Sequence, residues 1–266
     1  MRVAGTAISA SRIEAGGATL ECFVVPWDTQ IFEFTVAQIG GLDLGSPGTP
    51  SAPLMEAFDA WCAEHAVRLV SCRIDHTRLR ESMVLEAHGF RFVEMVYEPR
   101  LEDVRSVAPP RHLIEVTEAT VADLPAIEAI AASAFTTGRF LLDARLPPEL
   151  SNRRYASWVR NSFETPEQTV LTASLDGALV GFFIVERRPL DHVYWHLTAV
   201  APAWQGKGIG LSLWRTMLRR HADDGAASVG TTISGHNLAA LNLYARLGFA
   251  FTSAQMTFHR LTGPAT

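Results

Sequence analysis

The chain has 266 residues, 48% of them hydrophobic and 19% charged, with a formal net charge of −5 at pH 7. This composition is typical of a globular protein of one or two domains, and the acidic balance argues against nucleic acid or an anionic membrane as a partner. No apolar run approaches the roughly 18 residues that a membrane-spanning helix needs, and the three cysteines lack metal-ligand spacing, so we expect a cytoplasmic protein that acts on a small molecule.

The first half of the chain contains a pattern that returns near the C-terminus. When residues 69–92 are laid without gaps on 228–251, both segments read as strand, turn, helix, Gly-Phe and strand. The matched pairs are Val70 and Val229, Ile74 and Ile233, Leu79 and Leu238, Gly89 and Gly248, Phe90 and Phe249, and Phe92 and Phe251. The repeat predicts two strand–helix–strand units that pack against neighbours. The alternative is a chance likeness, because a C-cap glycine followed by a core aromatic is a common helix ending.

Prolines among polar residues place a linker within 98–112, after a strand at 92–97. We therefore divide the chain into an N-terminal domain, residues 1–108, and a C-terminal domain, residues 109–266. For the second domain the patterns predict strands at 113–118, 168–175, 178–187, 192–200, 227–233 and from 249 to 261, and helices at 120–135, 151–163, 208–223 and 238–247. Helices that alternate with short strands indicate an α/β sheet covered on both faces.

A glycine-rich turn joins the predicted strand 192–200 to the helix 208–223. It reads Gln205-Gly-Lys-Gly-Ile-Gly210, so glycines can take positive φ while free N–H groups of the first helical turn face a ligand. The spacing fits neither a P-loop nor the dinucleotide-binding pattern. The turn therefore predicts a phosphate or pyrophosphate site that needs no metal. His192 and His196 do not suggest one either, because strand spacing sets their Cα atoms about 13 Å apart.

A second motif follows at residues 237–249 and reads Asn-x-x-Ala-x-x-x-Tyr-x-x-x-Gly-Phe. The order strand, Gln-x-x-Gly-x-Gly, helix, strand and this second motif resembles the GCN5-related N-acetyltransferases, the GNAT superfamily, over roughly residues 112–262. The resemblance implies an α/β (α+β) GNAT fold, a mixed central sheet flanked by helices, and acetyl-CoA as cosubstrate without a metal. The N-terminal half has Leu85 where the second copy has Tyr244, and it lacks the glycine turn, so we expect it to be a degenerate GNAT-like domain.

The same resemblance places the coenzyme along the strand end, the turn and the last helix. Its pyrophosphate would lie on backbone amides of the turn, and its pantetheine arm along the preceding strand, where Pro202 suits a strand that parts from its neighbour. The expected coenzyme contacts are Thr198, Ala199, Val200, Gln205, Gly206, Lys207, Gly208, Ile209, Gly210 and Asn237. Lys207 could equally be a solvated loop residue, and Asn237 is most simply a helix N-cap.

Two residues are candidates for proton transfer. In the GNAT pattern the phenol of Tyr244 sits near the thioester sulfur, where it can donate a proton to the departing thiolate. A core tyrosine is the alternative, because Leu241 and Leu247 share its helical face. His196 is the first candidate for the base that deprotonates the amine, and it shares a strand face with Tyr194. A buried structural histidine, a base at Glu186 and a water chain remain open.

The segment between the first two helices of the second domain is expected to build the acceptor site. Ala134-Phe-x-x-x-Arg139-Phe140, followed by Tyr155-x-x-Trp158 and joined to the segment 26–34, resembles the N-acetyltransferases of nucleotide-linked 4-amino-4,6-dideoxyhexoses, the dTDP-fucosamine type. Arg139 would pair with a pyrophosphate or carboxylate, and Phe140 and Trp158 would stack on a base or sugar. Helix-end capping and core packing are the alternatives for these three residues.

These observations predict an acetyltransferase that passes acetyl from acetyl-CoA directly to a primary amine, most simply that of a nucleotide-linked amino sugar. Direct transfer is expected because neither motif contains a cysteine that could carry the acetyl group. Another amine, such as an antibiotic, a polyamine or a protein N-terminus, remains open as acceptor. So does a protein that only senses coenzyme A, and a homodimer is compatible with an exposed sheet edge.

Overall fold

The computed structural model describes residues 2–3, 6–7 and 9–262. The N-terminal half contains β1 (Arg2–Val3), β2 (Thr6–Ala7), β3 (Ser11–Ala15), β4 (Ala18–Val24), α1 (Pro26–Phe32), β5 (Thr35–Asp43), α2 (Ala52–Glu64), β6 (Val67–Asp75), α3 (Leu79–Ala87) and β7 (Arg91–Leu101). The C-terminal half contains β8 (Glu115–Glu118), α4 (Leu124–Ala134), α5 (Arg139–Leu142), α6 (Pro148–Phe163), β9 (Gln168–Leu175), β10 (Ala178–Arg188), β11 (His192–Val200), α7 (Ile209–Asp223), β12 (Ser228–Thr231), β13 (Ile233–Ser234), α8 (Leu238–Arg246) and β14 (Ala250–Leu261). Both halves contribute to one mixed sheet.

This sheet has twelve strands and runs β3-β4-β5-β6-β14-β7-β12-β11-β10-β9-β8, with β13 paired to β7. β5 is parallel to β6 and β11 is parallel to β12, whereas the other pairs are antiparallel. The mixed sheet flanked by helices is the predicted α/β GNAT fold. Four apolar clusters form its core. In the C-terminal half, α7 and α8 pack on one face of the sheet and α4 and α6 pack on the other. In the N-terminal half, α2 and α3 cover one face and α5 lies over the opposite face.

The two halves exchange strands at the centre of the sheet. The C-terminal strand β14 lies between β6 and β7, and β7 in turn lies between β14 and β12. Each half therefore closes its sheet with a strand from the other, and the strand–helix–strand units of the sequence repeat meet here. The helices of both units end on a glycine with positive φ, Gly89 at 81° and Gly248 at 85°. The boundary between 1–108 and 109–266 and the degenerate GNAT origin of the first half stay predictions.

Several element bounds differ from the sequence-based expectation, each for a local reason. The predicted linker begins with strand, because β7 continues through Pro99 to Leu101. A bulge at Thr252 on β14 lies opposite Pro99, and a bulge is where a strand tolerates a residue without an N–H donor. The predicted helix 120–135 starts with a 3-10 turn, Val121–Asp123, before α4. The predicted strand 227–233 is split at Thr232, where the chain leaves β11 and joins β7.

Candidate active site

Strands β11 and β12 separate halfway along β11. Their parallel pairing runs from His192 opposite Ser228 to Trp195 opposite Thr231, and β13 then pairs with β7 instead. Residues 196–200 of β11 consequently keep a strand neighbour only on the β10 side. This strand separation was expected near Pro202 but begins earlier, directly after Trp195. It leaves backbone polar groups along one edge of β11 available to a bound molecule.

A β-bulge at His196 reverses the faces of β11. Ile184 of β10 pairs with Leu197, and the next residue, Val185, pairs with Trp195, so His196 is the extra residue. Trp195 accordingly packs on the α7 side, whereas Leu197 packs on the α4 and α6 side. Strict alternation would put His196 and Thr198 on one face. The bulge instead sends them to opposite sides of the strand, next to the gap.

His196 and Glu186, the two candidate bases, are hydrogen-bonded to each other. The Nε2 atom of His196 lies 2.7 Å from Oε2 of Glu186, which also accepts from Arg188 at 2.9 Å. Burial lowers the pKa of His196, and the Glu186 carboxylate opposes that shift only in part. At neutral pH the ring is therefore neutral, with Nε2–H donating to Glu186 and Nδ1 left to accept a proton. Burial acts to raise the pKa of Glu186, but the hydrogen bonds from Arg188 and His196 outweigh it and lower the pKa.

Tyr244 lies on the other side of the gap. Its side chain is 2% exposed, and its phenol lies beside the side chains of Trp214, Thr198 and Thr231. Burial raises the pKa of Tyr244 to about 12, so the hydroxyl keeps its proton at any physiological pH. The core-tyrosine alternative holds for the ring, which packs on Trp214 and Phe249. The hydroxyl, however, reaches the end of β11 where the thioester is expected.

The glycine turn has the backbone geometry that its sequence predicts at two of three positions. Gly206 and Gly208 take φ of 74° and 76°, and a Cβ atom added to either would meet no atom within 4 Å. Gly210 lies inside the first turn of α7, so it does not need positive φ, and a Cβ atom there would make an ordinary contact with Leu243 of α8 at 3.9 Å. The N-cap residue, Gly208, has no side chain that could cap the helix. The first N–H groups of α7 therefore remain available to an anion.

The side chains of the turn are already engaged within the protein. Gln205 donates from Nε2 to the carbonyl of Val200 at 3.0 Å, which ties the turn to the end of β11. Lys207 places Nζ 5.3 Å from the centre of the Trp204 ring, and Ile209 is 3% exposed and points into the core. Ile209 could thus contact a coenzyme only through its backbone, whereas Gln205 is exposed and keeps its Oε1 available. Lys207 keeps its charge near the helix N-terminus.

Asn237 is the N-cap of α8, as its simplest interpretation predicts. Its Oδ1 accepts from the backbone N–H of Ala240 at 3.0 Å. The side chain therefore starts the helix that carries Tyr244. In the N-terminal half the equivalent residue is Arg78, which donates to the carbonyl of Leu42 at 2.7 Å across the space where β5 and β6 part. The loop between β5 and α2 lacks the Gln-x-x-Gly-x-Gly motif, and Arg78 spans the space between the two strands.

The three predicted acceptor residues lie close together but have different surroundings. Phe140 is 4% exposed, and the ring centres of Phe32 and His259 lie 5.0 Å and 5.2 Å from its own. Strand exchange brings His259 of β14 against Phe140, which argues against stacking on a substrate, and its role stays a prediction. Trp158 is half-buried on α6. The guanidinium of Arg139 lies 4.7 Å from the Phe140 ring and has no carboxylate partner within residues 9–262.

Sequence reasoning missed charged residues that the N-terminal half contributes to this face. Arg73 of β6 and Glu94 of β7 lie in one row across the sheet, on either side of Thr257 of β14. Arg73 donates to Thr257 at 3.1 Å and its Nη2 lies 3.4 Å from Glu94. A buried glutamate in a strand was the available signal, but the row exists only because β14 is inserted between β6 and β7.

The part of the chain that the structure describes contains neither a metal-ligand cluster nor a membrane-spanning helix. No group of three or more His, Cys, Asp or Glu side chains there is arranged to hold a metal ion. Among the helices described, none is both long and apolar enough to cross a membrane. Cys22, Cys62 and Cys72 are buried and unpaired in the N-terminal half.

Comparison with known proteins identifies the family. Residues 128–249 match the model of the acetyltransferase (GNAT) family. The chain is 26% identical over 137 residues to the spore coat polysaccharide biosynthesis protein SpsD of Bacillus subtilis, covering 52% of this chain and 47% of that protein. It is 36% identical over 109 residues to the L-2,4-diaminobutyric acid acetyltransferase of Nocardia farcinica, covering 40% of this chain and 54% of that protein. The chain thus spans about half the length of these curated relatives.

A longer match extends into the N-terminal half. The chain is 26% identical over 222 residues to the dTDP-fucosamine acetyltransferase of Escherichia coli O6:H1, covering 80% of this chain and 88% of that protein. The crystal structure of a GCN5-related N-acetyltransferase from Sphaerobacter thermophilus superimposes with a TM-score of 0.64 at 16% identity, covering 95% of this chain and 82% of that one, and shares its fold. The family match falls on the segment that contains the separated strands, the glycine turn and Tyr244, and residues 128–249 therefore form a GNAT acetyltransferase domain.

Proposed function

We propose that the C-terminal half binds acetyl-CoA in the gap between β11 and β12 and transfers its acetyl group to a primary amine. The observation that carries this proposal is the arrangement around the gap. A neutral histidine paired with a glutamate lies on one side, a protonated buried tyrosine on the other, and a glycine turn with free helix N–H groups at the end. These are the groups that acetyl transfer to nitrogen requires.

The reaction needs a neutral amine, and the pair of His196 and Glu186 supplies the base. The amine gives a proton to Nδ1 of His196, and Glu186, hydrogen-bonded to Nε2, stabilises the imidazolium that forms. The amine nitrogen attacks the thioester carbonyl, a C–N bond forms, and the negative charge that develops on oxygen can be met by backbone N–H groups on the free edge of β11. The C–S bond then breaks with release of the thiolate. The nitrogen loses its second proton to solvent as the neutral amide forms.

Tyr244 donates its phenolic proton to that thiolate. A phenol whose pKa is about 12 would be a poor acid toward an ordinary thiolate, whose pKa is near 8.5. Burial raises thiol pKa values as well, however, and the pKa of the buried Cys72 in this chain is raised to about 12. Burial of the coenzyme thiolate in this site would shift its pKa in the same direction, which lowers the cost of proton transfer from the phenol.

The acceptor proposed for this site is the amine of a nucleotide-linked amino sugar. The support is the similarity to dTDP-fucosamine acetyltransferase, which extends over 80% of the chain, and to a spore coat polysaccharide biosynthesis protein. The similarity to L-2,4-diaminobutyric acid acetyltransferase, at 36% identity over a shorter segment, favours a diamino acid as the second candidate acceptor.

The test is an assay of free thiol released from acetyl-CoA with a panel of amines. The panel contains nucleotide-linked 4-amino and 3-amino sugars, 2,4-diaminobutyrate, polyamines, aminoglycosides and short peptides. Turnover confined to an amino-sugar nucleotide supports the first acceptor, and turnover confined to diaminobutyrate supports the second. Coenzyme binding without turnover on any of these amines would instead favour a protein that senses coenzyme A.

A further inference from the structure

A cluster of charged residues lies on the sheet face beneath α5 and α6, the same side as His196. Arg73 and Glu94 come from the N-terminal half, and Arg139 and Arg154 come from α5 and α6. Their charges influence one another directly, as does that of Asp28. The cluster is therefore shared between the two halves of the chain.

Two of the three arginines have partners of their own. Arg154 donates to Asp28 at 2.6 Å, and this carboxylate is 1% exposed, which makes the pair a buried one. Arg73 donates to Thr257 at 3.1 Å and lies 3.4 Å from Oε1 of Glu94, a distance at the limit of a hydrogen bond. Arg154 is thus satisfied within the protein, whereas Arg73 is held loosely.

The remaining charges are left without partners. The guanidinium of Arg139 makes neither a hydrogen bond nor an ion pair within residues 9–262, and it lies 4.7 Å from the centre of the Phe140 ring. Burial, together with the positive charges of Arg73 and Arg154, lowers the pKa of Arg139 to about 9. Glu94 is 3% exposed, and its Oε2 atom receives no hydrogen bond. A half-buried cation without an anion and a buried carboxylate oxygen without a donor are both costly in a folded protein.

The position of Arg139 is fixed by the backbone before it. A Cβ atom at Gly138 would lie only 1.9 Å from the hydroxyl oxygen of Tyr155, so only glycine lets this loop press against α6. Tyr194 continues the cluster toward the candidate base. Its ring packs edge-on against His196 with centres 4.9 Å apart, and its hydroxyl is among the groups that affect Arg73.

We infer that Arg139 and Arg73 bind an anionic group of the acceptor, while Oε2 of Glu94 accepts a hydrogen bond from an N–H or O–H group elsewhere on the same acceptor, so that the N-terminal half completes the acceptor site. This inference rests on the proposed acetyl transfer for the identity of the ligand as acceptor. The anion is a phosphate group, as in a nucleoside diphosphate, or a carboxylate, as in an amino acid. Guanidinium groups bind both in the same bidentate manner.

A binding experiment tests the site without requiring turnover. Inorganic pyrophosphate and, separately, 2,4-diaminobutyrate are titrated by calorimetry into the full chain with coenzyme A at saturation, so that the glycine turn is already occupied. Arg139→Gln and Arg73→Gln are expected to weaken binding of one of the two probes by about 10- to 100-fold, the usual effect of losing a charge-assisted hydrogen bond. The probe that responds identifies the anion as phosphate or carboxylate.

Arg160→Gln is the matched control, because Arg160 lies on α6 but pairs with Glu128 at the surface with 59% of its side chain exposed. It should leave binding unchanged. Glu94→Gln keeps the shape of the side chain. It should weaken binding of the acceptor that the thiol-release assay identifies, which raises the KM for that acceptor, while the KM for acetyl-CoA stays constant. Arg73→Lys keeps the charge and should restore part of the binding that Arg73→Gln loses, which separates a binding role from a folding defect.

Failure of this inference is distinct from failure of the proposed function. If neither probe binds the wild-type chain, or if Arg139→Gln and Arg73→Gln bind both probes as the wild type does, the inference is overturned even when thiol release is active. If one probe binds and its binding depends on both arginines but no amine is acetylated, the anion site is supported and the proposed acetyl transfer is refuted.

Discussion

Replacing Tyr244 by phenylalanine removes one hydroxyl group from the proposed active site and leaves its packing intact. The ring is held by Trp214 and Phe249, which the substitution does not touch. Thr231, next to the hydroxyl, already donates to the carbonyl of Trp195 at 2.7 Å, so its own hydrogen bond survives. We therefore expect a loss of about 1 kcal/mol or less in the free energy of unfolding.

The effect on catalysis should be much larger. Proton donation by a positioned side chain contributes about 100- to 10,000-fold to a rate, so kcat for Tyr244→Phe should fall by about that factor. The dissociation constant of coenzyme A should stay within about threefold, because the pyrophosphate is bound by the glycine turn and not by the phenol. Since the pKa of Tyr244 is about 12, the wild-type rate should show no loss on the basic side up to pH 10 from this group.

Thiol release under saturating acetyl-CoA measures kcat, and calorimetry measures coenzyme binding. Tyr97→Phe is the matched control, since this tyrosine lies on β7 with its ring edge-on to Phe251 and should affect neither quantity. A fall in coenzyme affinity parallel to the fall in kcat would refute the assignment of Tyr244 as proton donor. So would a Tyr244→Phe enzyme that keeps more than about a tenth of the wild-type kcat.

Three further predictions concern the base, the turn and the core. Because the Glu186 carboxylate raises a histidine pKa that burial lowers, Glu186→Gln should move the acidic limb of kcat/KM to lower pH, and a limb that stays in place would exclude His196 as the base. Gly208→Ala, which forces a Cβ into positive φ, should weaken coenzyme A binding by about 5- to 30-fold, from a strain of about 1–2 kcal/mol. Gly89→Ala, strained in the same way but located after α3 in the N-terminal half, should lower stability and leave binding constant, as calorimetry would show. His221 is buried and accepts from Trp195, with its pKa lowered to about 4 chiefly by burial. The unfolded ring binds a proton below its ordinary pKa near 6.5 and the folded ring does not, so His221 should lower the free energy of unfolding in urea by about 1.4 kcal/mol for each pH unit between 6.5 and 4. Burial lowers the pKa of His259 to about 4 as well, so His221→Gln should remove only the contribution of His221 from the total slope.

The sequence by itself predicted those features that depend on local chemistry. Positive φ at Gly206 and Gly208 follows from glycine-specific backbone freedom, and the helix start at Asn237 follows from the ability of its side chain to accept from a backbone N–H. The strands 168–175 and 192–200 have the predicted bounds, because alternating apolar residues and flanking turns specify them. The GNAT fold was recognised from the order of such local motifs.

The tertiary structure decided everything that depends on distant parts of the chain. The bulge at His196 is invisible to an alternating pattern, yet it places this side chain beside Glu186 and sends Thr198 toward Tyr244. The sequence predicts that Phe140 is an aromatic of the acceptor site. In the fold its ring is covered by His259, which β14 brings from the far end of the chain.

The exchange of β7 and β14 had the largest consequence for the proposed acceptor site. It sets Arg73 and Glu94 of the N-terminal half on the same sheet face as Arg139. Residue types and their spacing indicate which groups a side chain is able to bind. Which charges remain unpaired is determined only when strands far apart in sequence are hydrogen-bonded side by side, because pairing of buried charges depends on distances that the tertiary fold alone sets.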